Sequence, residues 1–208
     1  MILIGQYDSP FVRRVGIAMT LYGLPFEHKP WSTFGDAEKI RPYNPLTRVP
    51  TLVLDDGEVL MDSHIILDYL DSLVPTDKRM FPVAEPARHR ALRVAAMAMS
   101  MAEKAVSLFY EKALHKDVSD VWVKRCGVQI SGCLAALEPD RAARKTDYWF
   151  GASLGHADVA VAVALRFIGD AHAGLISMED FPSLARDAAR LEATPVFQTI
   201  SQRFIPPA

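Results

Sequence analysis

Hydrophobic residues follow two different spacings in the first part of this 208-residue chain, one typical of short strands and one of helices. The apolar run Ile2–Gln6 predicts a strand, and an amphipathic stretch from Pro10 to Tyr22 predicts a helix that ends at Gly23. The extended stretch Pro25–Trp31 predicts a second strand. A strand, a helix and a strand in this order are typical of a parallel strand pair.

A second group of short apolar runs begins at Val49. In VPTLVLDDGEVLM, two such runs flank Asp56-Gly57, and Asp-Gly is a strong hairpin signal. The stretch 32–46 before them predicts only a poorly marked helical turn. The segment DSHIILDYLDSL then predicts a helix whose apolar face consists of Ile65, Ile66, Tyr69, Leu70 and Leu73. The predicted order is βαβ-α-ββα, an α/β domain over residues 1–75.

The rest of the chain has the composition of helices. Three prolines in SLVPTDKRMFPVAEPAR mark a linker, which we place at residues 76–85. We predict an all-helical domain over residues 86–208, because every long segment beyond the linker is rich in helix-forming residues. The predicted helices are 87–116, 118–137, 157–171, 181–191 and 195–204.

Composition limits the partners and the compartment. Half of the residues are hydrophobic and the net charge is −2, which suits a soluble globular protein and argues against a nucleic-acid partner. The only two cysteines, Cys126 and Cys133, lie seven residues apart in a predicted helix, a poor geometry for a disulfide. They predict core thiols in a reducing compartment, and their spacing indicates no metal site.

The opening MILIGQYD lacks a basic segment and a cleavage site, so we expect a cytoplasmic protein. The most apolar run, Ala157–Ile168, is too short to span a bilayer and contains Arg166. We therefore expect no membrane association.

The stretch YDSPFVRRVG places Ser9 and Pro10 where the first strand is followed by a helix. Ser9 is a good N-cap, and proline suits the first helical position because it has no N–H to lose. The same position also lets a serine face a bound anion. Arg13 and Arg14, one turn further on, are interpreted as solvated surface charges or as a source of positive potential near that anion.

Two further motifs have both a structural and a functional interpretation. Pro50 either begins a strand in the ordinary way or follows a cis bond that turns the backbone groups of Val49 toward an extended peptide. Asp62 and Ser63 either cap the next helix or hold the ammonium and carboxylate of an amino-acid head group.

Together these motifs resemble a known family. SPFVRRVGIAMTLYGLPFE, NPLTRVPTLVLDDGEVLMDSHIILDYLD and the helical second half are similar to soluble glutathione S-transferases, in particular to bacterial serine-type members whose first helix begins Ser-Pro-Phe. The resemblance implies a thioredoxin-like first domain, a cis Val-Pro bond and glutathione bound as an extended co-substrate. It also implies a homodimer.

The resemblance assigns roles to individual residues. Ser9 is expected to donate a hydrogen bond to the glutathione sulfur, and Phe11 to form a wall beside the thiol. Val49, before Pro50, is expected to pair with the cysteinyl backbone. Tyr7 is the competing hydrogen-bond donor to the sulfur, because its hydroxyl has the same chemistry.

The two ends of the tripeptide are expected at other residues. Asp62 and Ser63 correspond to the positions that bind the γ-glutamyl head group, and Arg48 to one that reaches the glycyl carboxylate.

Three functions follow from these expectations. The first is a transferase that activates the glutathione thiol for attack on a small hydrophobic electrophile, held near helix residues 95–110. The second is a protein of the same fold that binds glutathione or an apolar ligand without turnover. The third, a glutathione-dependent disulfide reductase, is disfavoured because its relatives use a cysteine in place of Ser9 and no cysteine precedes Cys126.

Overall fold

Four short strands form one sheet in the first part of the chain. The structure is a computed structural model that describes residues 1–206. Strand β1 (Ile2–Ile4) lies between β2 (Glu27–Lys29), to which it is parallel, and β3 (Thr51–Val53), to which it is antiparallel. Strand β4 (Val59–Met61) pairs with β3 as an antiparallel hairpin. The predicted parallel pair and hairpin are both confirmed.

The register of the sheet brings four strand ends into one row. Ile4 is paired with Lys29 on one side and with Thr51 on the other, and Thr51 is paired with Met61. The chain therefore leaves β1, enters β3 and leaves β4 at the same edge of the sheet. The connections at these three points carry most of the residues singled out from the sequence.

Helices complete the βαβ-α-ββα order that the sequence predicts. Helix α1 (Pro10–Tyr22) begins after Ser9 and ends at Gly23, which has the left-handed backbone (φ 66°) that favours glycine. Helix α2 (Ala37–Ile40) is a single turn, and α3 (Ser63–Ser72) follows β4 and packs against α1.

The buried face of α3 differs from the predicted one. Ile66, Leu67 and Leu70 are buried, whereas Ile65 is 59% exposed and Leu73 is 44% exposed. A helix turns by about 100° per residue, so a buried stripe centred on Ile66, Leu67 and Leu70 leaves Ile65 on the solvent side. Of the predicted apolar face, Ile66 and Leu70 lie in the core, whereas Ile65 and Leu73 do not belong to the buried face.

The second half of the chain is helical, as predicted. It contains α4 (Ala87–Leu114), α5 (Asp120–Ala142), α6 (His156–Ala171) and α7 (Pro182–Glu192). Helix α6 is buried along most of its length, in contact with α4 and α7. Helix α5 continues past Pro139, beyond the end predicted for it.

The chain divides into two compact units whose limits differ from the predicted domains. The first unit comprises Met1–Met80 together with the chain from Thr194 on, and the second comprises Phe81–Ala193. The predicted helical domain 86–208 is therefore too long at its end. The predicted last helix is also shorter, because α8 spans only Pro195–Thr199. It joins the first unit through contacts with α1.

Two features are absent from residues 1–206. No helix there has the length and the hydropathy needed to cross a bilayer. In the same range, no three histidine, cysteine or acidic side chains are grouped closely enough to hold a metal ion. Cys126 is buried, Cys133 is partly buried, and both are free thiols.

Candidate functional site at the sheet edge

Ser9 caps α1 where the chain leaves β1. Its backbone is extended (φ −70°, ψ 122°), and its Oγ accepts a hydrogen bond from the Val12 N–H at 3.5 Å. Accepting that bond leaves the hydroxyl its own proton to donate, and no residue in the range 1–206 accepts it. The helix N-terminus adds a partial positive charge at the same point. Ser9 therefore presents a donor where a negative charge is stabilised.

The Tyr7 side chain points along α1, away from its start. The Tyr7 ring is stacked on His28, with centroids 3.9 Å apart and planes 12° apart. A Cβ on Gly16 would lie only 2.8 Å from Tyr7 Cε1. Gly16 is about 10 Å along the helix from Ser9, at about 1.5 Å per residue. Burial raises the pKa of Tyr7 to about 12, so the phenol is protonated at neutral pH.

Val49 lies against the first turn of α1. The Val49–Pro50 bond is cis. Gly5 has φ 129°, and a Cβ added there would lie 2.7 Å from the Val49 Cβ and 2.5 Å from Val12 Cγ2, so only glycine fits between them. Within residues 1–206, neither the N–H nor the C=O of Val49 has a hydrogen-bond partner. Both groups are available to an extended ligand.

The loop before Val49 is held by Asn44, which the sequence analysis does not identify. Asn44 is buried, and its Nδ2 donates to the Arg48 carbonyl and to Thr51 Oγ1, both at 3.0 Å. Its Oδ1 accepts from the Leu46 N–H at 3.0 Å. The signal that could have identified it is the Asn-Pro pair, a turn initiator just before Val-Pro.

Asp62 and Ser63 begin α3 directly after β4. Asp62 has φ 70°, a conformation that costs a non-glycine residue roughly 1–3 kcal/mol and occurs most often at functional sites. Its Oδ1 accepts from the His64 N–H at 2.7 Å, and its side chain is otherwise exposed. Ser63 is 2% exposed and occupies the first position of the helix.

Arg14 is the residue of this region that the sequence analysis misjudged most. Both Arg13 and Arg14 are buried, at 3% and 1% exposure, so the interpretation as solvated surface charges is wrong. No residue in the described part of the chain accepts a hydrogen bond from any guanidinium nitrogen of Arg14. Burial lowers the pKa of Arg14 to about 9, and the charge of Asp62 opposes that shift.

A buried guanidinium without an acceptor is costly, because burial removes its water and nothing replaces the hydrogen bonds. Arg14 remains charged at neutral pH, since its pKa is about 9. Its neighbour His64 is neutral there, because burial and the charge of Arg14 lower the pKa of His64 to about 4. The exposed carboxylate at the start of α3 therefore lies within electrostatic range of the buried cation on α1.

The predicted site residues are distributed along one edge of the sheet. Ser9 follows β1, Val49 and Pro50 precede β3, and Asp62 and Ser63 follow β4. Ile4 and Met61, the strand ends on either side of Thr51, are separated by two strand spacings, about 10 Å in all.

The two remaining predicted residues are less firmly connected to this edge. Phe11 is half-buried in the first turn of α1. The Arg48 side chain is exposed and forms no hydrogen bond or ion pair with the described residues. The edge as a whole can bind an extended peptide whose one end is a zwitterion and whose middle carries a polarisable anion.

Comparisons with known proteins agree with this geometry. The family model "Glutathione S-transferase, N-terminal domain" matches residues 3–78, and "Glutathione S-transferase, C-terminal domain" matches residues 120–186. The chain is 38% identical over 71 residues to the uncharacterized GST-like protein YibF of Escherichia coli. That match covers 34% of this chain and 35% of YibF, so it spans about a third of either protein.

Solved structures match over the whole chain. A glutathione S-transferase from Methylobacterium radiotolerans, in complex with glutathione sulfonate, has a TM-score of 0.88 and 27% identity, and covers 100% of this chain and 98% of its own. A glutathione transferase family member from Pseudomonas fluorescens, with bound glutathione, has a TM-score of 0.84 and 28% identity, with 100% and 99% covered.

The two family models together match more than half of the chain, at the sheet domain and at the helices. The structural neighbours have the same thioredoxin-like first unit followed by a helical unit, which confirms the predicted fold class. The assignment to bacterial serine-type members stays a prediction. The chain belongs to the glutathione S-transferase family.

Proposed function

We propose that this protein binds glutathione along the sheet edge and lowers the pKa of the bound thiol with the Ser9 hydroxyl, so that the thiolate attacks a small hydrophobic electrophile. One observation carries the proposal. Among the described residues nothing accepts a hydrogen bond from the Ser9 hydroxyl or from the buried guanidinium of Arg14; Ser9 lies at this edge, and the charge of Arg14 interacts with Asp62 at the same edge. The Ser9 hydroxyl suits the thiolate of glutathione as a hydrogen-bond donor, and the charge of Arg14 suits its γ-glutamyl carboxylate.

The γ-glutamyl head group would bind at the start of α3. Its carboxylate would receive hydrogen bonds from the first amides of the helix, with the Ser63 hydroxyl beside them, and the buried positive charge of Arg14 would attract it. Its ammonium would pair with the exposed carboxylate of Asp62. The ligand carboxylate would supply the negative charge that Arg14 does not find among the described residues other than at Asp62. The strained backbone of Asp62 would then serve ligand binding.

The middle of the tripeptide would pair with Val49. The free N–H and C=O of Val49 suit the backbone of the cysteinyl residue, as if the ligand added a strand. An extended tripeptide spans about 10 Å, at about 3.4 Å per residue. The three strand ends also span about 10 Å, so a ligand of this length fits along the edge with its head group at Asp62 and the thiol of its middle residue directed toward Ser9.

The energy available at Ser9 is sufficient for activation. A free thiol has a pKa of about 8.5, so only a few per cent is thiolate at neutral pH. Lowering that pKa by about two units requires roughly 2.7 kcal/mol of preferential stabilisation of the anion. A hydrogen bond to a charged group contributes about 1.5–3 kcal/mol. The helix N-terminus contributes about 0.3–1 kcal/mol more.

In the proposed reaction the thiol proton leaves to solvent and the sulfur lone pair forms a bond to the electrophilic carbon. The leaving group, where there is one, departs with its electron pair. Ser9 donates a hydrogen bond throughout and forms no covalent bond. Phe11 would form an apolar wall beside the sulfur, and Arg48 would reach the glycyl carboxylate. Cytoplasmic location and a homodimer remain predictions.

Asp8 favours a second candidate function, glutathione binding without turnover. Its carboxylate directly precedes Ser9, and a negative charge there opposes a thiolate. Burial raises the pKa of Asp8, while backbone N–H groups of Ile205, Ser9 and Asp8 itself lower it. The two functions differ in the acidity of the bound thiol, which can be measured directly.

The test is a pH titration of the ultraviolet thiolate absorbance of bound glutathione. Wild type is compared with Ser9→Ala and with Ser119→Ala, a matched control that removes the N-cap hydroxyl of α5 in the second unit. We expect the bound thiol to titrate about two units below its free value in wild type and Ser119→Ala, and near about 8.5 in Ser9→Ala.

The alternatives give different results. Glutathione that binds but titrates normally in all three proteins supports the binding function, and no binding at all contradicts both.

A further inference from the structure

The segment Ile200–Ile205 lies against the loop that carries Ser9. The Tyr7 N–H donates to Gln202 Oε1 at 3.3 Å, and the Ile205 N–H donates to Asp8 Oδ2 at 3.1 Å. Tyr7 and Asp8 are the two residues directly before Ser9. Both hydrogen bonds therefore join the stretch between β1 and Ser9 to residues almost two hundred positions away in the chain.

Arg13 anchors the beginning of this segment to α1. Its Nε donates to the Ile200 carbonyl at 2.8 Å and its Nη2 to the Phe197 carbonyl at 2.9 Å. Its guanidinium also lies over the Phe197 ring, 5.4 Å from the centroid. A Cβ on Gly16 would lie 2.9 Å from Ile200 Cγ2, so the glycine permits this close approach. The segment is fixed at its start independently of Gln202 and Ile205.

Ser9 itself takes part in three other hydrogen bonds. The cap bond from the Val12 N–H to Ser9 Oγ is long, at 3.5 Å, and the Ser9 N–H donates to the Gln6 carbonyl at 3.2 Å. The Ser9 carbonyl accepts from the Arg13 N–H at 2.9 Å. The Tyr7 amide depends on a side chain of the segment, because it takes no part in the sheet ladder. The hydrogen bonds of Tyr7 and Asp8 to the segment therefore contribute to the position of the Ser9 hydroxyl.

We infer that the segment Ile200–Ile205 positions Ser9 for the glutathione sulfur, with Gln202 and Asp8 as positioning residues. The inference rests on the proposed function, since it concerns the same hydroxyl. A hydrogen bond to sulfur requires the donor within a fraction of an ångström of its place, and a misplacement of about 1 Å costs catalysis as much as 10²-fold. The hydrogen bond to Ile205 also turns the Asp8 carboxylate toward the segment.

Two matched truncations test this. A chain ending at Ser201 loses Gln202 and Ile205 but keeps Phe197 and Ile200, the acceptors of Arg13. A chain ending at Ile205 keeps all of them. The readouts are the pKa of the bound glutathione thiol and the Kd for S-methylglutathione, a probe that fills the head-group end without a titrating thiol.

We expect the chain that ends at Ile205 to match wild type. The chain that ends at Ser201 should bind S-methylglutathione within about threefold of wild type, while the pKa of the bound glutathione thiol rises by about one unit, which reduces the thiolate fraction at neutral pH about threefold. A merely structural role would weaken both readouts together.

Point variants decide the question should the shorter chain not fold. Gln202→Ala is paired with Arg203→Ala, because Arg203 is the exposed next residue and has no partner among the described residues. Asp8→Ala is paired with Asp8→Asn, which retains an oxygen acceptor for the Ile205 N–H. We expect a raised thiol pKa in Gln202→Ala but not in Arg203→Ala. Both Asp8 variants remove the same negative charge, so the effect of the Ile205 hydrogen bond is the difference between them, and the thiol pKa should be higher in Asp8→Ala than in Asp8→Asn.

The outcomes separate the two proposals. A wild-type protein that leaves the thiol pKa at its free value contradicts the proposed function, and the inference falls with it. A wild-type protein that lowers the thiol pKa, together with a Ser201-terminated chain or a Gln202→Ala variant that lowers it equally, overturns the inference alone.

Discussion

Arg13 and Arg14 are adjacent on α1 and equally buried, but only Arg13 has acceptors within residues 1–206. Arg13 donates to the carbonyls of Phe197 and Ile200, whereas the three guanidinium nitrogens of Arg14 have none. Neighbouring side chains on a helix point about 100° apart, so the two arginines lie in different surroundings. Arg13 holds the chain together, and Arg14 carries a charge toward Asp62 that a ligand can use.

We predict that Arg14→Met leaves the ligand-free protein as stable as wild type or more stable. Replacing a buried charge without a partner by an apolar side chain of similar length is often neutral or stabilising. Affinity for S-methylglutathione should fall about tenfold, because the bound carboxylate loses the attraction of a nearby buried cation. Thermal unfolding without ligand and calorimetric titration with it measure the two effects.

The control for this prediction is Arg13→Met. It should unfold at a clearly lower temperature, because two buried carbonyls lose their donor. A ligand-free Arg14→Met protein that is destabilised as much as Arg13→Met would assign Arg14 a structural role instead.

We predict that substitutions of Asp62 change glutathione affinity and the free energy of unfolding independently. Asp62→Asn keeps the cap on the His64 N–H and tolerates φ 70°, so its free energy of unfolding should stay near that of wild type. Asp62→Ala loses the cap and keeps the strained backbone, at a cost of about 1–2 kcal/mol. Both variants should bind glutathione more weakly, because neither carries the carboxylate that pairs with the ammonium.

An analogue of glutathione that lacks the α-amino group provides the matched ligand for this test. Wild type and Asp62→Asn should bind it with equal affinity. A difference between them as large as that for glutathione would show that Asp62 does not contact the amine.

We predict that His64 makes stability depend on pH in a defined window. Its pKa is about 4 in the folded protein against 6.5 for the free side chain, so the unfolded chain binds more protons between these values. Stability should therefore rise as the pH increases from 4 to 6.5 and be lost as the pH falls through the same window. Urea unfolding of wild type and His64→Gln at several pH values measures the slope, which should be smaller in the variant.

Burial also lowers the pKa of His172, so part of the slope should remain in His64→Gln. Arg14→Met should raise the pKa of His64 in an NMR titration, because the charge of Arg14 is one cause of the shift. An unchanged slope in His64→Gln would contradict the assignment.

We predict that Ser9→Ala and Ser119→Ala lower the free energy of unfolding by similar amounts but differ in their effect on the conjugation rate. Each removes a serine N-cap, worth about 1 kcal/mol, from a helix of more than three turns. Only Ser9→Ala should slow conjugation at neutral pH, by about 10–100-fold, as the thiolate fraction falls. Initial rates with excess glutathione and urea unfolding of both variants check this. Equal rates in the two variants would remove Ser9 from the mechanism.

Local signals allowed the fold to be predicted. The hairpin follows from Asp56-Gly57, and the start of α1 follows from Ser9-Pro10, because each depends on neighbouring backbone groups alone. Strand order then brings Ser9 and Asp62 to one edge of the sheet. These are the parts of the site that sequence reasoning can reach.

The remaining features depend on residues far apart in the chain. A pair of arginines in an amphipathic helix is usually solvated, and only the packing of residues 197 and 200 on α1 buries Arg13. In the sequence Asn44 has the pattern of an ordinary turn residue, and its hydrogen bonds to Arg48 and Thr51 are evident only in the structure. The helical pattern from Pro195 onward predicts a helix but does not indicate which of the two units that helix packs against.

The discontinuous first unit has a consequence for biosynthesis. Its sheet is encoded before Met80, but the segment that holds Tyr7 and Asp8 is encoded after Ala193. A ribosome making this chain must therefore produce the entire second unit before the Ser9 loop can acquire its last hydrogen bonds. The helical unit therefore has time to fold during translation before the loop at the sheet edge acquires these bonds.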